Sequence, residues 1–255
     1  ESALIGYTGF VGKNILNKRN FNYKYNSTSI EEIKGKAFDF VVCAGAPGTQ
    51  WFANKFPYKD TESIDKLIRC LKDVKINKLV LISTIAVYPS PVNTDEDSII
   101  DSSKLNTYGK NRLKLELALE EKFDTIVLRL PALFGQGLKK NILYDLIHKK
   151  HLEKINTEST YQFYNLQNIN KDIDFALKNN IKKLNLATQP IKISEVLNLC
   201  FDYDIKSNFS AEIRHENMIT KFSKKSNSKS KYLYKKSEII DDLNTYVRNE
   251  RNLLD

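Results

Sequence analysis

The first half of the chain alternates uninterrupted apolar runs with amphipathic segments. Runs that are apolar at every position, rather than at every second one, are typical of strands covered on both faces. The amphipathic segment 60–74 places Ile64 and Leu71 on one stripe at helical spacing. Such alternation predicts a doubly wound, parallel α/β sheet with right-handed crossovers. The apolar runs span residues 3–6, 38–44, 78–83 and 125–130.

After Gly137 the periodicity loosens and shorter elements follow. The pattern predicts a large first domain over residues 1–150. Residues 151–255 then form a small lobe and a terminal helix within the same globular unit. Further strands are predicted at 22–25 and 183–188, and further helices at 107–122, 141–150, 166–179, 192–201 and 237–250.

The composition is that of a soluble globular protein. Of the 255 residues, 41% are hydrophobic and 28% are charged, which is ordinary for that class. No run of about 18 apolar residues exists, so no membrane span is expected. The chain leads from Glu1-Ser2 into an apolar run without a signal-peptide pattern. Cys43, Cys70 and Cys200 lack a C-x-x-C spacing, and we expect free thiols in a reducing cytoplasm.

The net charge of +9 raises the question of an anionic partner. Lysines are scattered along the whole chain, which favours a general compositional bias, and no nucleic-acid partner is expected. The densest cluster lies between Lys224 and Lys236, where a solvated loop and a site for an anionic ligand both stay open. His148 and His151 have no acidic residue at metal-ligand spacing, so no metal site is expected.

Three glycines lie between the first apolar run and a helix predicted to extend to about residue 17. Gly6, Gly9 and Gly12 are spaced three apart. Such a turn brings backbone N–H groups and a helix N-terminus against a pyrophosphate, and Gly12 permits close packing of helix on strand. The spacing resembles that of the extended short-chain dehydrogenase/reductase family, which includes nucleotide-sugar epimerases, dehydratases and reductases. The resemblance covers roughly residues 3–150 and implies a Rossmann-type domain followed by a small C-terminal substrate lobe.

The resemblance implies NADP or NAD as the cofactor. Family members carry an acid after the second strand that binds the adenosine ribose, whereas Asn26 and Ser27 follow the predicted strand here. Without a carboxylate to repel a 2′-phosphate, the sequence leans towards NADP, with Lys24 as a residue that could assist. The cofactor contacts that the resemblance implies are Gly6, Thr8, Gly9, Phe10, Val11, Gly12, Asn26, Ser27, Ala44, Gly45, Ala46, Ser83, Tyr108, Arg112 and Pro131.

A catalytic set forms the second part of the resemblance. The segment 79–91 is similar to the hydroxyl-rich fourth strand of the family. Counting back from Val87 assigns Thr84 as the catalytic hydroxyl, with Ser83 as the alternative. Tyr108 follows at the separation that is usual in the family and opens a predicted helix.

The cation one helical turn after Tyr108 departs from the family. Members place a lysine there, which stabilises the phenolate and bonds to the nicotinamide ribose, whereas this chain has Arg112. Arginine keeps a fixed positive charge, but its planar fork replaces a compact donor. Lys110 and Lys114 point away from the face of Tyr108 and are poor substitutes. Two hypotheses follow: a variant catalytic pair, or a cofactor-binding relic in which Tyr108 only packs.

Substrate contacts are less well defined. In the segment 127–135, Ala132 stands where many nucleotide-sugar enzymes have an asparagine that touches substrate. Trp51 is either a core residue or a substrate platform, and the loop 135–141 either is solvent-exposed or meets an anionic substrate. The aromatic segment 161–165 suits a sugar or base wall, or the core of the lobe. The candidate substrate residues are Trp51, Ala86, Lys139, Lys140 and Asn141.

This resemblance predicts an NAD(P)-dependent epimerase or reductase that acts on a sugar or nucleotide-sugar. Ile85 and Ala86 follow Thr84 where the family's dehydratases carry carboxylates, so dehydration is disfavoured. Epimerisation and reduction both stay open. The alternative is a catalytically impaired NAD(P)-binding sensor or scaffold on the same fold, for which Arg112 and Ala132 are the signals. The sequence leaves open whether the chain forms a homodimer.

Overall fold

Strands and helices alternate along the first part of the chain, and the computed structural model describes residues 1–222 and 230–254. The strands are β1 (Ser2–Ile5), β2 (Tyr23–Tyr25), β3 (Ala37–Cys43), β4 (Lys75–Thr84), β5 (Thr125–Leu130), β6 (Ala132–Phe134), β7 (Thr160–Tyr161), β8 (Phe163–Asn165), β9 (Lys183–Asn185) and β10 (Ile191–Lys192). The helices are α1 (Phe10–Leu16), α2 (Gln50–Lys55), α3 (Pro57–Leu71), α4 (Thr107–Lys122), α5 (Ile142–His148), α6 (Ile169–Lys178), α7 (Ile193–Cys200) and α8 (Lys236–Asn252). Most of the predicted lysine cluster, residues 224–229, lies outside the described residues.

A six-stranded parallel sheet in the order β2-β1-β3-β4-β5-β9 organises these elements. Ile5 at the end of β1 lies opposite Tyr25 on one side and Cys43 on the other. After β2 the chain crosses to the other side of β1, and parallel sheets bind ligands beyond the carboxyl ends of the strands at such a switch in strand order. The predicted doubly wound α/β fold of the Rossmann type is confirmed.

The predicted elements agree with the structure at β5 and α4 and differ elsewhere at their ends. The helix predicted at 166–179 begins at Ile169, because residues 166–168 form a 3-10 turn. The strand predicted at 183–188 ends at Asn185. The pattern does not predict α2, which has 6 residues and is too short to show a stripe.

The hydrophobic core of the sheet includes buried residues of α3 and α4. Ile64, Leu67 and Leu71 of α3 are buried in it, together with Leu115 and Leu119 of α4. The stripe predicted over residues 60–74 is therefore confirmed as the buried face of a helix.

The chain folds into two compact units whose segments interleave along the sequence. The prediction divides the chain once, at residue 150, whereas α6 and the first two residues of β9 group with the first unit. The reason is that this segment returns to the sheet, where the Val127 N–H donates to the Lys182 carbonyl at 2.8 Å. Cofactor binding by one part and substrate binding by the other stay predictions. The first unit comprises Glu1–Pro89, Asp97–Leu130 and Asn168–Leu184, and the second Ser90–Glu96, Pro131–Gln167 and Asn185–Asp255.

Buried polar side chains hold the second unit together. Gln162 is fully buried and donates to the carbonyls of Thr188 at 2.5 Å and Met218 at 2.7 Å. The carboxylate of Glu96 accepts from the Asn185 N–H at 2.8 Å. Within this unit β7 pairs with β10 antiparallel, and β6 pairs with β8 parallel.

The cysteines are free thiols, as the sequence predicts: Cys43 and Cys70 are buried, and Cys200 is half-buried. Burial raises the pKa of Cys43 and of Cys200 to about 11. Among the described residues, no helix has the length and apolar character needed to span a bilayer.

Candidate active site

The three glycines of the turn between β1 and α1 differ in what the chain itself requires of them. Gly6 has a φ of +86°, and a Cβ there would lie 2.2 Å from the Ala44 carbonyl oxygen. A Cβ on Gly12 would lie 2.1 Å from the Gly6 carbonyl oxygen. A Cβ on Gly9 would meet that same oxygen at 3.3 Å, and its φ of −76° suits any residue. Packing within the chain therefore demands glycine at 6 and 12, whereas a Cβ at 9 requires the Gly6 carbonyl to shift by only a few tenths of an ångström.

Hydrogen bonds join this turn to the ends of the neighbouring strands. The Gly6 N–H donates to the Tyr25 carbonyl at 2.7 Å, and the Ala44 N–H donates to the Ile5 carbonyl at 2.8 Å. The predicted cofactor residues at 6–12 and 44–46 consequently lie side by side at the carboxyl edge of the sheet. Thr8 and Gly9 are exposed there, while Phe10, Val11, Gly45 and Ala46 are partly buried.

The loop after β2 is organised by Asn26. Its side-chain oxygen accepts from the N–H groups of Thr28 and Ser29, each at 3.0 Å. The acceptor of Asn26 is therefore used within the loop itself. Lys66 of α3 donates to the Ser27 carbonyl at 3.0 Å, which brings an ammonium group to this loop.

Thr84 and Tyr108 are brought together by the packing of α4 on the turn that follows β4. Gly109 faces that turn, and a Cβ there would lie 2.4 Å from the Ala86 carbonyl oxygen. Asn106 caps α4 by accepting from the Gly109 N–H at 3.0 Å. Thr84 accepts from the Ala86 N–H at 3.1 Å, and its hydroxyl lies near enough to the Tyr108 phenol to lower the pKa of that phenol. The two residues that the resemblance pairs are therefore in contact, and their catalytic role stays a prediction.

Arg112 lies across the aromatic ring of Tyr108, with its Cζ 3.9 Å from the ring centroid. Its Nη1 donates to Asp60 Oδ2 at 2.5 Å, and its Nη2 donates to the Pro47 carbonyl. The side chains of Arg112 and Asp60 are 3% and 1% exposed, so this ion pair is buried. The positive charge beside Tyr108 is thus partnered by a carboxylate that the sequence does not single out.

The other cations of α4 lie elsewhere. Lys110 is exposed, and Lys114 donates to Asp65 Oδ1 of α3 at 2.5 Å. That neither lysine replaces the cation at 112 stays a prediction, which the pairing of Lys114 with Asp65 supports. The Tyr108 N–H donates to Asn54 Oδ1 at 3.2 Å, so the unpredicted helix α2 also holds the first turn of α4.

Burial dominates the electrostatics of Tyr108. It raises the pKa of the phenol, and the Asp60 charge acts in the same direction. The Arg112 charge and the nearby Thr84 hydroxyl lower the pKa, but the resulting shift is upward. Tyr108 therefore keeps its proton at neutral pH and can donate it to an oxygen that gains electrons.

Ser83, the alternative to Thr84, belongs to a different buried cluster. Its hydroxyl donates to Glu116 Oε1 at 2.5 Å. Arg129 donates from Nη2 to Glu116 Oε2 at 2.7 Å and from Nη1 to the Tyr88 hydroxyl at 2.7 Å. Arg129 and Glu116 are 2% and 0% exposed. Ser83 is thus engaged with these groups, while the Thr84 hydroxyl lies near the Tyr108 phenol.

Trp51 and Ala86 are the candidate substrate residues of the first unit. Trp51 is 65% exposed, so the alternative that it is a core residue is wrong. The Lys55 ammonium lies 4.9 Å from its ring centroid. A platform role for Trp51 stays a prediction. Ala86 is partly buried, and both of its backbone groups serve the packing around Thr84 and Gly109.

The candidate substrate residues of the second unit separate into two kinds. Asn141 caps α5 by accepting from the Tyr144 N–H at 3.1 Å, and it donates to the Leu133 carbonyl at 2.7 Å. Both the oxygen and the nitrogen of its side-chain amide therefore have partners within the chain. Lys139 and Lys140 are exposed, and contact with an anionic substrate stays a prediction for them.

Burial decides the role of the aromatic segment 161–165. Phe163 and Tyr164 are fully buried, so this segment contributes to the core of the second unit. Pro131, a predicted cofactor residue, is also buried. Sequence reasoning missed Glu216, whose pKa burial raises to about 7, because an isolated glutamate in an irregular segment gives no pattern.

Two residues of the first unit that the sequence reasoning missed do carry a signal. Asp60 precedes Ile64 by one helical turn and so stands on the apolar stripe of α3, where a carboxylate needs a partner. Gly109 sits inside a helix, where glycine costs about 1 kcal/mol relative to alanine, and so indicates a close approach of another backbone.

Comparison with known proteins gives matches among solved structures only. No protein-family model matches the chain, and no curated protein matches it by sequence. MoeE5, solved with UDP-glucose and NAD, matches with a TM-score of 0.73 at 14% identity, covering 100% of both chains. The UDP-glucose 4-epimerase of Thermotoga maritima, solved with UDP-glucose, matches with a TM-score of 0.71 at 13% identity, covering 100% of this chain and 99% of that one.

A reductase gives a similar match. The dTDP-4-dehydrorhamnose reductase of Yersinia enterocolitica has a TM-score of 0.67 at 15% identity, covering 98% of this chain and 99% of that one. At such low identities the likeness shows a shared fold. The same fold supports several chemistries, so function has to be argued from the site.

We predict that Gly109→Ala destabilises the protein. Alanine is the better helix former by about 1 kcal/mol, so propensity alone predicts stabilisation. The new Cβ would lie 2.4 Å from the Ala86 carbonyl oxygen, which backbone packing cannot accommodate without a shift. Overpacking of this kind costs roughly 1–3 kcal/mol, and the clash therefore reverses the sign. Denaturant unfolding measures the change, with Lys110→Ala on the exposed face as the control; equal stability of the Gly109 variant and the parent would contradict the packing described.

Proposed function

We propose that the chain is an NAD(P)-dependent epimerase or reductase of the extended short-chain dehydrogenase/reductase family that acts on a nucleotide-sugar. The observation that carries the proposal is the contact of Thr84 and Arg112 with Tyr108 in the unit that also holds the glycine turn. Solved structures of the same fold support it, since MoeE5 was solved with UDP-glucose and NAD. The UDP-glucuronic acid 4-epimerase of Bacillus cereus, a further match, was also solved with NAD.

The residues at the turn fit a dinucleotide. Gly9 is exposed, and a Cβ there would make one tight contact, at 3.3 Å from the Gly6 carbonyl oxygen, which is a weaker demand for glycine than at 6 and 12. A pyrophosphate that approaches the backbone closely gives a further reason for glycine, because a side chain would occupy its space. The first N–H groups of α1 have no partner within the helix and can face the phosphate oxygens.

The chain's own residues move the proton of the reaction. A bound nicotinamide supplies hydride transfer to or from a substrate carbon. Tyr108 donates its phenolic proton to the oxygen of a carbonyl that is being reduced, or, as the phenolate, accepts the proton of an alcohol that is being oxidised. The Thr84 hydroxyl lies beside the phenol, and Arg112 places a fixed positive charge against the ring. Because burial raises the pKa of Tyr108, the phenol is protonated at neutral pH, as donation of a proton during reduction requires.

The loop after β2 supports the proposal that NADP binds at least as tightly as NAD. It has no carboxylate at residues 26–29 to repel a 2′-phosphate. Lys66 brings a positive charge to the Ser27 carbonyl in the same loop. Calorimetric titration of the parent compares the two cofactors, and a clear preference for NAD would contradict this part of the proposal.

We predict that Gly9→Val removes dinucleotide binding while the protein stays folded. The matched control is Gly48→Val, since a Cβ at Gly48 meets nothing within 4 Å. Binding at a concentration of 100 Kd stabilises a protein by about 2.7 kcal/mol, which thermal unfolding with NAD and with NADP detects. The parent and the Gly48 variant should show this stabilisation, and the Gly9 variant should not. A Gly9 variant that binds as well as the parent would place the cofactor elsewhere.

We predict that Tyr108→Phe abolishes turnover and leaves cofactor binding nearly intact. General acid–base groups contribute about 10²–10⁴-fold to rate, so the loss should be of that order. UDP-glucose and UDP-glucuronic acid with NAD or NADP test epimerisation, and dTDP-4-dehydrorhamnose with NADPH tests reduction. Tyr58→Phe is the control, since Tyr58 lies in the first turn of α3 and is 89% exposed.

Two results would contradict this assignment. If the Tyr108 variant turns substrate over like the parent, Tyr108 only packs. If the parent binds dinucleotide but stays inert with every substrate, the chain is a binding module.

A further inference from the structure

The ion pair between Asp60 and Arg112 is the feature of the site that the proposed chemistry leaves unexplained. Both side chains are buried, and the Nη1 to Oδ2 distance is 2.5 Å. A buried ion pair is weak support for stability, because desolvating two charges offsets much of their attraction. An explanation for this pair therefore has to come from what it does to its neighbours.

The partners of Asp60 fix a single orientation of the guanidinium. Asp60 Oδ2 accepts from Arg112 Nη1 at 2.5 Å and from Asn111 Nδ2 at 2.7 Å. Arg112 Nη2 donates to the Pro47 carbonyl in the loop after β3. Nη1 and Nη2 of the planar guanidinium are therefore held by different elements. The Arg112 Cζ lies over the Tyr108 ring, 3.9 Å from its centroid.

The pair is also incompletely satisfied. Asp60 Oδ1 and Arg112 Nε are buried and have no hydrogen-bond partner among the described residues. An unsatisfied buried polar atom costs about 1–3 kcal/mol, so this arrangement is not the one that stability alone would favour. Such an incompletely hydrogen-bonded pair is expected if its geometry serves to hold the guanidinium against Tyr108.

We infer that Asp60 is a positioning residue of this site, whose buried carboxylate holds the Arg112 guanidinium against the ring of Tyr108. The inference rests on the proposed function, since there Tyr108 is the group that transfers the proton. Asp60 acts through Arg112 and touches neither substrate nor cofactor. The charged groups that act on Tyr108 are Arg112 of α4 and Asp60 of α3, and the Thr84 hydroxyl of β4 lies beside the phenol.

Two roles of Asp60 can be distinguished by removing its charge and observing whether the pKa of Tyr108 rises or falls. In one role Asp60 holds Arg112 in place, and in the other it acts on Tyr108 by its negative charge alone. If Asp60 acted on Tyr108 by its negative charge alone, Asp60→Asn would lower the pKa of Tyr108. If Asp60 holds Arg112 in place, Asp60→Asn leaves a buried guanidinium without a counter-charge. That group then turns towards water and away from the ring, and the pKa of Tyr108 rises.

The experiment follows the titration of residue 108 directly in the cofactor-free protein. A fluorinated tyrosine is incorporated at position 108 alone, and its ¹⁹F resonance is recorded against pH. Fluorination lowers the pKa of the phenol into a range where the protein stays folded. We expect an upward shift of the midpoint in Asp60→Asn, and a smaller upward shift in Asp60→Glu, which keeps the charge but displaces the guanidinium.

The matched control is Asp65→Asn, which removes a carboxylate that joins the same two helices through Lys114. That pair is half-exposed, at 35% for Asp65 and 50% for Lys114, and we expect no shift of the midpoint. A midpoint that falls or stays unchanged in Asp60→Asn would overturn the inference. Should Asp60→Asn fail to fold, Asp60→Glu decides, since an unchanged midpoint there contradicts positioning.

The proposed function is tested separately. The ¹⁹F titration uses neither cofactor nor substrate, so its failure leaves the binding and turnover tests unaffected. A parent that binds no dinucleotide would contradict the proposed function without altering the direction of the ¹⁹F shift.

Discussion

The close packing of α4 on the turn after β4 is the constraint on which the candidate site depends. Gly109 allows it, because a Cβ at this position would lie 2.4 Å from the Ala86 carbonyl oxygen. The approach brings Tyr108 to Thr84 and sets Arg112, one helical turn on, against the Tyr108 ring. A larger residue at 109 would separate the two elements, and the hydroxyl pair and its cation would be lost together.

Two buried arginines of the first unit are each paired with a buried carboxylate. Arg112 is paired with Asp60, and Arg129 with Glu116, all at 3% exposure or less. The two pairs differ in their surroundings. Both carboxylate oxygens of Glu116 accept hydrogen bonds, whereas Asp60 leaves Oδ1 without a partner among the described residues. The incomplete pair is the one that contacts Tyr108, as expected where a site departs from the most stable arrangement.

The sequence carries enough information for the sheet, because continuous apolar runs and helical stripes follow directly from burial. It also gives the turn at Gly6, Gly9 and Gly12 and the pairing of Thr84 with Tyr108, through spacing that matches a known family. It does not give Asp60 as the partner of Arg112, since that contact joins residues far apart in the chain. Nor does it give the interleaving of the two units, because α6 and β9 return to the sheet by pairing that no local pattern encodes.

The central claim is that a dinucleotide lies on the glycine turn with its nicotinamide beside Tyr108. A crystal structure of the chain grown with NADPH tests this claim most directly. The account predicts electron density for the pyrophosphate against the backbone at Gly9 and for the nicotinamide ribose next to Tyr108 and Arg112. Density for the dinucleotide at another surface, or a turn to which saturating NADPH does not bind, would contradict it.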